Sequence, residues 1–474
     1  MTFPSTVTDL AFHEKVDRLC EQSPVWFQRA LARGSDYADL FFEETTHRRR
    51  VLTAKVKRGK IGYESPAGAE YDVTGAGVQV LSGVQRGFVS TQSIAGSNVG
   101  DAFAQAVSEA GGRGTSSDAL SLTICRTPEP SPQDVLTARE QSALAETAVD
   151  TALGLDERIV SVTATYRDRT RRVAIFNTEG SATVFTTINA GFRVEVRLAV
   201  GDRQVEADAV AGGGSAASMF FNHPPEIVAQ EAVFRARMFA DARPLAAGRM
   251  PVVLAAGWGG VWLHEVAGHR LEADQAGSFR RGEQMAAIGV TIHDDARLRG
   301  ARGTAPFDDE GTPTQRTTLV HEGRLVGLLT DRLWARRLHR PCSANARRQD
   351  YRCPPLPRMT NLIMDPGPAT PEELIAGAQS GLFVTRPGHG LIMPAEDRFS
   401  IEVKAGYRIE NGHVTHPVQP MHIEGHVSDA LQNVRGIGND FGLDSVCGTC
   451  EKYGQLVPIS VGMPSIWLNG LIVS

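Results

Sequence analysis

The stretch WLHEVAGHRLEAD, residues 262–274, places two histidines five positions apart within an apolar setting. His264 is followed directly by Glu265, and the second histidine is His269. On a regular α-helix, residues four positions apart lie about 40° apart around the axis, whereas residues five apart lie about 140° apart. A π-type turn of about 4.4 residues would bring the two imidazoles together, and Gly268 permits such a distortion or an early end of the helix. The spacing therefore predicts a widened, non-α turn between the histidines.

The residues around this stretch predict a helix that is buried against a sheet. MPVVLAA, residues 250–256, is typical of a strand, and tryptophan, valine and leucine surround the histidines. From about residue 245 onward the chain has short β-rich runs, frequent glycine and proline, and few long amphipathic helices. We therefore predict a β-rich C-terminal domain over residues 244–474 that carries the helix with the two histidines.

The chain before residue 243 shows a different pattern. A polar helix over 9–33 is followed by paired strands, a second helix and a proline-rich connector near 126–134. The same plan then repeats, with strands at 159–168 and 172–180, another strand pair and a final helix. Helix, hairpin, hairpin and helix thus occur twice, which suggests an internal duplication. We predict an N-terminal α/β domain over residues 1–243 and an α+β protein of two domains overall.

Composition and charge limit the classes of partner. The 474 residues are 42% hydrophobic and 22% charged, which is typical of a soluble globular protein. A formal net charge of -5 provides neither a basic field for nucleic acid nor a polybasic segment for anionic lipid. The N-terminus lacks the pattern of a secretory signal, and the longest apolar run, 250–263, is short and interrupted by glycine. We expect a cytoplasmic protein without nucleic-acid or membrane partners.

The six cysteines predict free thiols rather than a disulfide framework. Cys447 and Cys450 form CGTC, which could be half of a structural zinc site, a redox pair, or a source of one metal ligand. A redox pair normally opens a helix after a strand, whereas the sequence after Cys450 predicts strands separated by glycine and proline. The cysteines that do not provide a second close pair are Cys20, Cys125, Cys342 and Cys353.

The two histidines are candidate ligands of a catalytic zinc ion. Such an ion takes three protein ligands and leaves a fourth position for water, so one ligand must come from outside the pair. The segment containing CGTC is a source of thiolate, although Glu272 and Asp274 are closer in sequence. A thiolate together with His264 and His269 would favour zinc over magnesium or calcium. The alternative interpretation is that the two histidines are unrelated residues of a core helix.

Six ordered blocks of the sequence resemble the TldD side of the TldD/PmbA family of bacterial metallopeptidases. The similarity extends over essentially the whole chain and is stronger after residue 240. The blocks are PVVLAAGWGGVWLHEVAGH (251–269), FDDEGTP (307–313), LPRMTN (356–361), IENGHVTHPV (409–418), GIGNDFGLDS (436–445) and CEKYGQLVPISVGMPS (450–465).

The resemblance implies an N-terminal α/β domain, a β-rich C-terminal domain and a zinc ion held by His264, His269 and a late cysteine. The G-Q-x-V-P spacing that follows matches this cysteine to Cys450 rather than Cys447. Cys447 falls where glycine is common in the family. It is either neutral or forms a reversible disulfide with Cys450 that would remove a zinc ligand under oxidation.

Roles for further residues follow from this resemblance. Glu265 would take the proton of the attacking water and pass it to the leaving amine. Arg347 and Arg348 match a family Arg-Arg segment and would bind a substrate carbonyl or carboxylate, or else form a solvated basic turn. The acids of FDDEGTP, beginning with Asp308 and Asp309, would orient a zinc-bound imidazole, or else form an ordinary acidic loop. The remaining histidines considered are expected to be surface or core residues and are His389, His422 and His426.

The predicted function is a zinc-dependent peptidase that hydrolyses unfolded or extended peptides. The family often has G-L-E-G-D where this chain has RLEAD, and SANARRQDY and RPGHGLIMPAEDR replace glycine-rich segments. The added bulk and charge favour a narrow substrate such as one precursor peptide. Alternatives are a zinc amidase for a small peptide conjugate and a non-catalytic peptide-binding subunit. The resemblance also implies a heterodimer with a related TldE/PmbA-like chain that lacks the motif, or a homodimer.

Overall fold

The computed structural model describes residues 11–57, 59–64, 67–111, 121–277, 280–444 and 448–474. The first part of the chain alternates helices with long strands. Its elements are α1 (Phe12–Ala32), β1 (Tyr37–Lys57), β2 (Lys60–Tyr63), β3 (Ala67–Ser82), β4 (Gln85–Thr91), α2 (Gly96–Glu109), β5 (Thr123–Arg126), α3 (Ala138–Leu155), β6 (Ile159–Asn177), β7 (Ser181–Val200), β8 (Arg203–Gly213), α4 (Ala216–Asn222) and α5 (Pro225–Ala240).

These strands form one sheet in the order β4-β3-β1-β6-β7-β5, with β2 on β1 and β8 on β7. β1 and β6 pair antiparallel in the middle, so β3 with β4 and β7 with β8 extend the sheet on opposite sides. This arrangement agrees with the predicted repetition of one plan. One detail differs, because the two strands expected at 159–168 and 172–180 are the single strand β6. The RDRTRR run between them contains neither glycine nor proline, and β1 pairs with it throughout.

Side chains of the central strands alternate between the two faces of the sheet. Even-numbered residues such as Phe42 and Phe176 form a core with α1 and α2, and Tyr166 and Phe192 form a second core with α3 and α5. The odd-numbered residues point away from these helices. The helices of this first part therefore cover only one face of the sheet, and we call the other face the odd-numbered face.

The rest of the chain is rich in short strands. Its elements are β9 (Gly248–Leu254), α6 (Gly260–Leu263), β10 (Ile292–Asp295), β11 (Arg316–His321), β12 (Arg324–Leu325), α7 (Arg332–Arg337), β13 (Ala346–Arg347), β14 (Leu356–Pro357), β15 (Asn361–Met364), α8 (Pro371–Ala378), β16 (Gly381–Met393), β17 (Arg398–Glu410), β18 (His413–Pro417), β19 (Met421–His426), β20 (Val434–Ile437), β21 (Gly442–Leu443), β22 (Thr449–Lys452), β23 (Gln455–Pro458), β24 (Ser460–Met463) and β25 (Ile466–Val473).

Two sheets and two hairpins organise this second part. One sheet has the order β16-β9-β25-β19-β17-β18, and an additional pairing of β16 with β17 closes five of its strands into a ring. The other has the order β12-β11-β10-β15-β24-β21. β13 with β14 and β22 with β23 form separate hairpins. The predicted α+β class and the β-rich second part are confirmed. Among the described residues, no helix combines the length and hydrophobicity that crossing a membrane requires.

The FDDEGTP segment joins the second part of the chain to the odd-numbered face. Asp309 accepts a hydrogen bond from Arg171 of β6 at 2.8 Å, and Glu310 accepts one from Gln79 of β3 at 2.7 Å. Arg348 is also buried there and lies over the ring of Phe41. These buried polar contacts connect the two parts of the fold. The proposed domain boundary at residues 243 and 244 stays a prediction.

Asp39 makes this contact region sensitive to pH. Its buried carboxylate accepts a hydrogen bond from Gln79 and lies 3.5 Å from the guanidinium of Arg348. Burial raises the pKa of Asp39 to about 6, although Arg348 opposes this shift. Because the folded-state pKa lies above the unfolded value, the folded chain binds the proton more tightly, and the contribution of this group to stability falls as pH rises from about 4 to about 6.

Asp39→Asn should remove this dependence, since an amide does not ionise. Between pH 4 and pH 7 we expect the free energy of unfolding of the variant to gain on the wild type by on the order of 2 kcal/mol. Urea denaturation at a series of pH values measures the difference. A difference between the two chains that stays constant over this range would contradict the assignment.

Candidate metal centre

The segment that carries the two histidines is a widened helical turn. α6 continues directly into a π-helical turn over His264–Gly268, and a 3-10 turn over His269–Leu271 ends the segment. The ring centroids of His264 and His269 lie 4.8 Å apart. The predicted non-α turn is therefore confirmed, and it places the two imidazoles on one side of the segment.

Gly268 contributes to this turn through packing rather than through an unusual backbone conformation. Its φ of -53° is ordinary for a right-handed helix. A Cβ atom at this position would lie 2.0 Å from the sulfur of Met359. The turn is thus pressed against the core of the second part, where Trp262 and Leu263 are also fully buried. Any larger residue at position 268 would push the turn away from this core.

Cys450 of β22 completes a cluster of three metal-binding side chains. One donor atom each from His264, His269 and Cys450 lies within 4.8 Å of the others, and the Cys450 sulfur is 3.5 Å from Nε2 of His269. Cys450 and His264 are buried, with 2% and 8% exposure. Nδ1 of His264 is buried and has no hydrogen-bond partner among the described residues, so this imidazole has capacity left for a ligand.

The electrostatics of the cluster favour a thiolate. Burial by itself would raise the pKa of Cys450, but the imidazoles of His264 and His269 lower it to about 5. Burial would likewise lower the pKa of His269, whereas its hydrogen bonds to Cys450 and Glu272 raise it to about 10. A thiolate is the form of cysteine that binds metal ions. Two imidazoles and one thiolate fit a zinc ion, since they combine its preferred nitrogen and sulfur donors.

Glu272 orients His269 within this cluster. The carboxylate of Glu272 is fully buried and accepts a hydrogen bond from Nδ1 of His269 at 3.0 Å. This bond leaves Nε2 directed at Cys450. Lys452 donates a 2.8 Å hydrogen bond to Glu272, and Arg358 lies 3.8 Å from its other oxygen. Burial would raise the pKa of Glu272, yet the interactions with His269, Lys452 and Arg358 lower it to about 2.

Glu272→Gln should weaken metal binding while the chain stays folded. The amide has nearly the shape of the carboxylate but loses its negative charge, which both His269 and Lys452 face. Loss of such an orienting partner typically lowers metal affinity about 10- to 100-fold. Competition with a chromogenic zinc chelator would measure the affinity, and Glu283→Gln, at an exposed glutamate, is the matched control. Equal affinities for the two variants would remove the orienting role from Glu272.

Glu265 lies on the π-helical turn beside the ligand cluster. It is half-buried, and its carboxylate forms no hydrogen bond or ion pair among the described residues. Strand β16 passes over it, and a Cβ atom at Gly390 would lie 2.7 Å from Cγ of Glu265. Because Gly390 has no side chain, β16 can pass this close without displacing the side chain of Glu265. A carboxylate without a protein partner beside a metal-binding cluster is available for proton transfer.

Asp308 and Asp309 do not orient the motif imidazoles. Asp308 accepts hydrogen bonds from the backbone N–H groups of Glu310, Thr312 and Ala346, and closes the tight turn of FDDEGTP. Asp309 binds Arg171 and the backbone N–H of Arg348 instead of His264 or His269. The orienting carboxylate is Glu272, three positions after His269, where helical periodicity brings side chains together.

The two candidate substrate-binding arginines differ in their surroundings. Arg348 is 1% exposed and donates to the carbonyl of Asp309, so it is part of the contact between the two parts of the fold and not a solvated turn. Its burial also leaves it unable to reach a substrate. Arg347 is half-buried, and its guanidinium donates to the carbonyl of Met359, the residue that packs against Gly268. A substrate role is therefore retained, as a proposal, only for Arg347.

The remaining sequence candidates are placed as follows. His389, His422 and His426 are exposed, as expected for surface histidines. Cys447 lies outside the described residues, and the proposed disulfide with Cys450 stays a prediction.

Two residues beside the site, Lys452 and Arg358, were not predicted from the sequence. A signal for Lys452 was present, since it lies two positions after Cys450 on the same face of β22.

A cluster of two imidazoles and a thiolate, of which His264 and Cys450 are buried, beside an unengaged glutamate is typical of a metal-dependent hydrolase. Comparison with known proteins agrees with this class. A family model described as the PmbA/TldA metallopeptidase C-terminal domain matches residues 247–474, and one described as the central domain of the same metallopeptidases matches residues 130–239.

Similar curated proteins are named as metalloproteases. A metalloprotease TldD homolog of Haemophilus influenzae is 30% identical over 465 residues, which cover 93% of each chain. A zinc metalloprotease TldD homolog of Saccharolobus solfataricus is 34% identical over 232 residues, covering 48% of this chain and 52% of the relative. The chain therefore belongs to the PmbA/TldD family of metallopeptidases.

Solved structures share the fold across almost the whole chain. A candidate modulator of DNA gyrase from Bacteroides thetaiotaomicron superposes with a TM-score of 0.71 at 18% identity, covering 97% of this chain and 98% of that one. TldE from Thermococcus kodakarensis superposes with a TM-score of 0.66 at 16% identity, covering 96% and 100%. At these identities the similarity concerns the fold alone.

Proposed function

We propose that this protein is a zinc-dependent peptidase with His264, His269 and Cys450 as metal ligands. The observation that carries the proposal is the convergence of these three side chains within 4.8 Å around a π-helical turn. Cys450 comes from a hairpin 181 positions after His269, so helical neighbourhood alone does not account for its position. The name of the Saccharolobus relative supports zinc as the metal.

The chain's own residues then have distinct tasks. When bound, zinc supplies Lewis acidity that polarises a carbonyl and lowers the pKa of water. Glu265 accepts a proton from the attacking water and transfers it to the nitrogen of the leaving amine. Glu272 and Lys452 hold the imidazole of His269 in one orientation. Arg347, whose guanidinium donates to the carbonyl of Met359, would bind a carbonyl or carboxylate of the substrate.

The substrate we propose is an unfolded or extended peptide, such as one precursor peptide. Gly390 of strand β16 lies directly against the side chain of Glu265. An extended peptide can lie beside a strand in this position, because recognition along a strand uses backbone groups. An amidase for a small peptide conjugate would use the same residues and differs only in the substrate. The non-catalytic peptide-binding alternative leaves the unengaged carboxylate of Glu265 without a purpose.

We further propose that the chain works in the cytoplasm and assembles with a TldE-like partner. The described cysteines, including Cys20 and Cys342, are free thiols, as is usual in a reducing compartment. The similarity to TldE from Thermococcus kodakarensis supports a partner of the same fold, and a homodimer is the alternative. Mass measurement of the purified chain, alone and mixed with such a partner, distinguishes these assemblies.

The deciding experiment combines metal analysis with peptide cleavage. We expect about one zinc per purified chain and cleavage of extended peptides that stops on chelation and returns with added zinc. The assay should include the chain alone and with its TldE-like partner, and both free peptides and peptide conjugates. Cleavage of conjugates alone would favour the amidase. A stoichiometric zinc with no hydrolysis of either substrate class would favour the peptide-binding alternative.

A further inference from the structure

A second site lies between the two parts of the fold, on the odd-numbered face of the N-terminal sheet. A cavity of about 710 Å³ is bounded there by β1, β3, β6 and β7 on one side. Its other side consists of the β22–β23 hairpin together with Arg302, Gln349, Asp350 and Arg352. This volume lies within the usual range for sites that bind small molecules or short peptide segments.

The β22–β23 hairpin separates this cavity from the metal centre. Cys450 and its cross-strand partner Val457 are both buried, and Cys450 faces the two motif histidines. Their neighbours Thr449, Leu456 and Pro458 line the cavity. Because successive side chains of a strand point to opposite faces, the cavity and the metal-binding cluster lie on the two sides of one hairpin.

The cavity carries an excess of positive charge that no carboxylate among the described residues neutralises. Its acidic residues are already paired with arginines, as Asp168 is with Arg48 and Asp350 with Arg352. Four lining arginines form no ion pair with any described residue. These four are Arg49, Arg167, Arg169 and Arg302.

Two of these arginines form the floor of the cavity. Arg169 and Arg302 also line a smaller void of about 40 Å³ that continues from it, together with Asn189. Nε of each arginine and Oδ1 of Asn189 are buried without a hydrogen-bond partner among the described residues. Within the described part of the chain, each guanidinium donates to a single backbone carbonyl, that of Gln349 for Arg169 and that of Gly448 for Arg302. A buried N–H group without a hydrogen-bond partner lowers the stability of the fold unless a ligand accepts its hydrogen bond.

His47, on the wall of the cavity, also lies in the positive electrostatic field of these arginines. His47 stacks on Tyr71 at a centroid distance of 4.6 Å on the cavity wall. Burial and the charge of Arg169 together lower its pKa to about 4. A neutral imidazole therefore remains at neutral pH, and the arginines provide the charge of the site.

We propose that this cavity binds an acidic segment of the peptide substrate, with a side-chain carboxylate held between Arg169 and Arg302. Guanidinium groups form their strongest hydrogen bonds with carboxylates, and Arg49 and Arg167 at the exposed mouth attract a second acidic residue. That the acidic segment belongs to a substrate rests on the proposed function, whereas the binding of an acidic segment in this cavity does not. The hairpin that carries Cys450 would then contact a bound peptide through Thr449 and Leu456.

Binding of labelled peptides to the full chain tests the proposal. The probes are a fluorescein-labelled peptide of alternating glutamate and alanine and a matched peptide with glutamine in place of glutamate. Fluorescence anisotropy with the Glu265→Ala variant prevents turnover, and a second series after chelation makes the result independent of zinc. We expect the glutamate peptide to bind at least about tenfold more tightly, with an affinity that falls as salt rises.

Arginine variants locate the binding. Arg169→Gln and Arg302→Gln should each lower the affinity for the glutamate peptide about tenfold or more, whereas Arg302→Lys should retain part of it. Arg297→Gln, at an exposed arginine outside the cavity, is the matched control. Arg49→Gln and Arg167→Gln, at exposed positions, provide a readout if a floor variant does not fold; they should weaken binding and its salt dependence.

Equal binding of the two peptides, or wild-type affinity in the arginine variants, would overturn the proposal. Inorganic phosphate is the competing source of negative charge. Phosphate that binds more tightly than the glutamate peptide and loses its binding in Arg169→Gln would assign the cavity to a free anion instead. If the wild-type chain cleaves no peptide but binds the glutamate peptide more tightly than the glutamine peptide, the binding site stands and only the proposed function is contradicted.

Discussion

Glu265→Ala is expected to abolish turnover while the protein keeps its metal. The carboxylate accepts no hydrogen bond from any residue that the structure describes, so its removal should not disturb the packing of the π-helical turn. A general base contributes about 10²- to 10⁴-fold to the rate, and we expect the kcat for peptide cleavage to fall by this amount. The zinc content and the affinity for the glutamate peptide should stay close to those of the wild type.

The design of this experiment separates chemistry from folding. Glu265→Gln keeps the shape of the side chain and should lose as much activity as Glu265→Ala, because an amide does not accept the proton. Glu283→Ala, at an exposed glutamate, is the matched control and should keep full activity. Metal analysis of every sample is required alongside the rates. Retained hydrolysis in Glu265→Ala with normal zinc content would exclude Glu265 as the general base.

Cys450→Ser should empty the metal site. The thiolate is the one anionic donor among the three proposed ligands, and a serine hydroxyl stays neutral near pH 7 and binds zinc poorly. We expect zinc to fall from about one per chain to a trace after dialysis, with loss of peptide cleavage. Inductively coupled plasma mass spectrometry of the dialysed chain measures this directly.

The matched control is a partly buried cysteine outside the cluster of proposed ligands. Cys353→Ser meets this condition, because Cys353 is a free thiol and lies outside the three-residue cluster. It should keep its zinc and its activity. Circular dichroism of both variants would show whether the fold persists, since Cys450 is buried in the core. Unchanged zinc content in folded Cys450→Ser would show that the thiolate is not a ligand.

Local patterns in the sequence determined much of the fold and one side of the site. For His264 and His269 to share a metal, their five-residue spacing predicted a widened turn, because a regular α-helix does not place such residues on one side. The alternation of glycine- and proline-separated runs predicted the β-rich second part, and helices between paired strands predicted the first. These features depend on neighbours within a few residues, which the sequence displays directly. In RDRTRR the local pattern did not distinguish a turn from a continuous strand, and the predicted break in β6 was wrong.

Only the tertiary structure decided which distant groups meet. The sequence offered Glu272 as a metal ligand and Asp308 and Asp309 as orienting acids. In the fold, Glu272 orients His269, whereas Asp309 binds Arg171 in the N-terminal sheet. Arg348 looked available for substrate and is buried. Asp309 and Arg171, like Arg348 and Phe41, are more than a hundred positions apart, and local propensity contains no information about such pairings. Glu272 is only three positions from His269, but whether it binds the metal or orients the imidazole depended on the distant Cys450.

The basic cavity shows the same limit most clearly. Its arginines come from β1, β6 and the loop around Arg302, and their charges are dispersed along a chain of net charge -5. The period of two predicted that odd-numbered residues of β1 and β6 share a face, but not what would lie opposite that face. The β22–β23 hairpin lies opposite the sheet across this space, and Nε of Arg169 and Nε of Arg302 have no hydrogen-bond partner among the described residues. Sequence periodicity thus determined the faces of each element, and tertiary packing determined which faces meet.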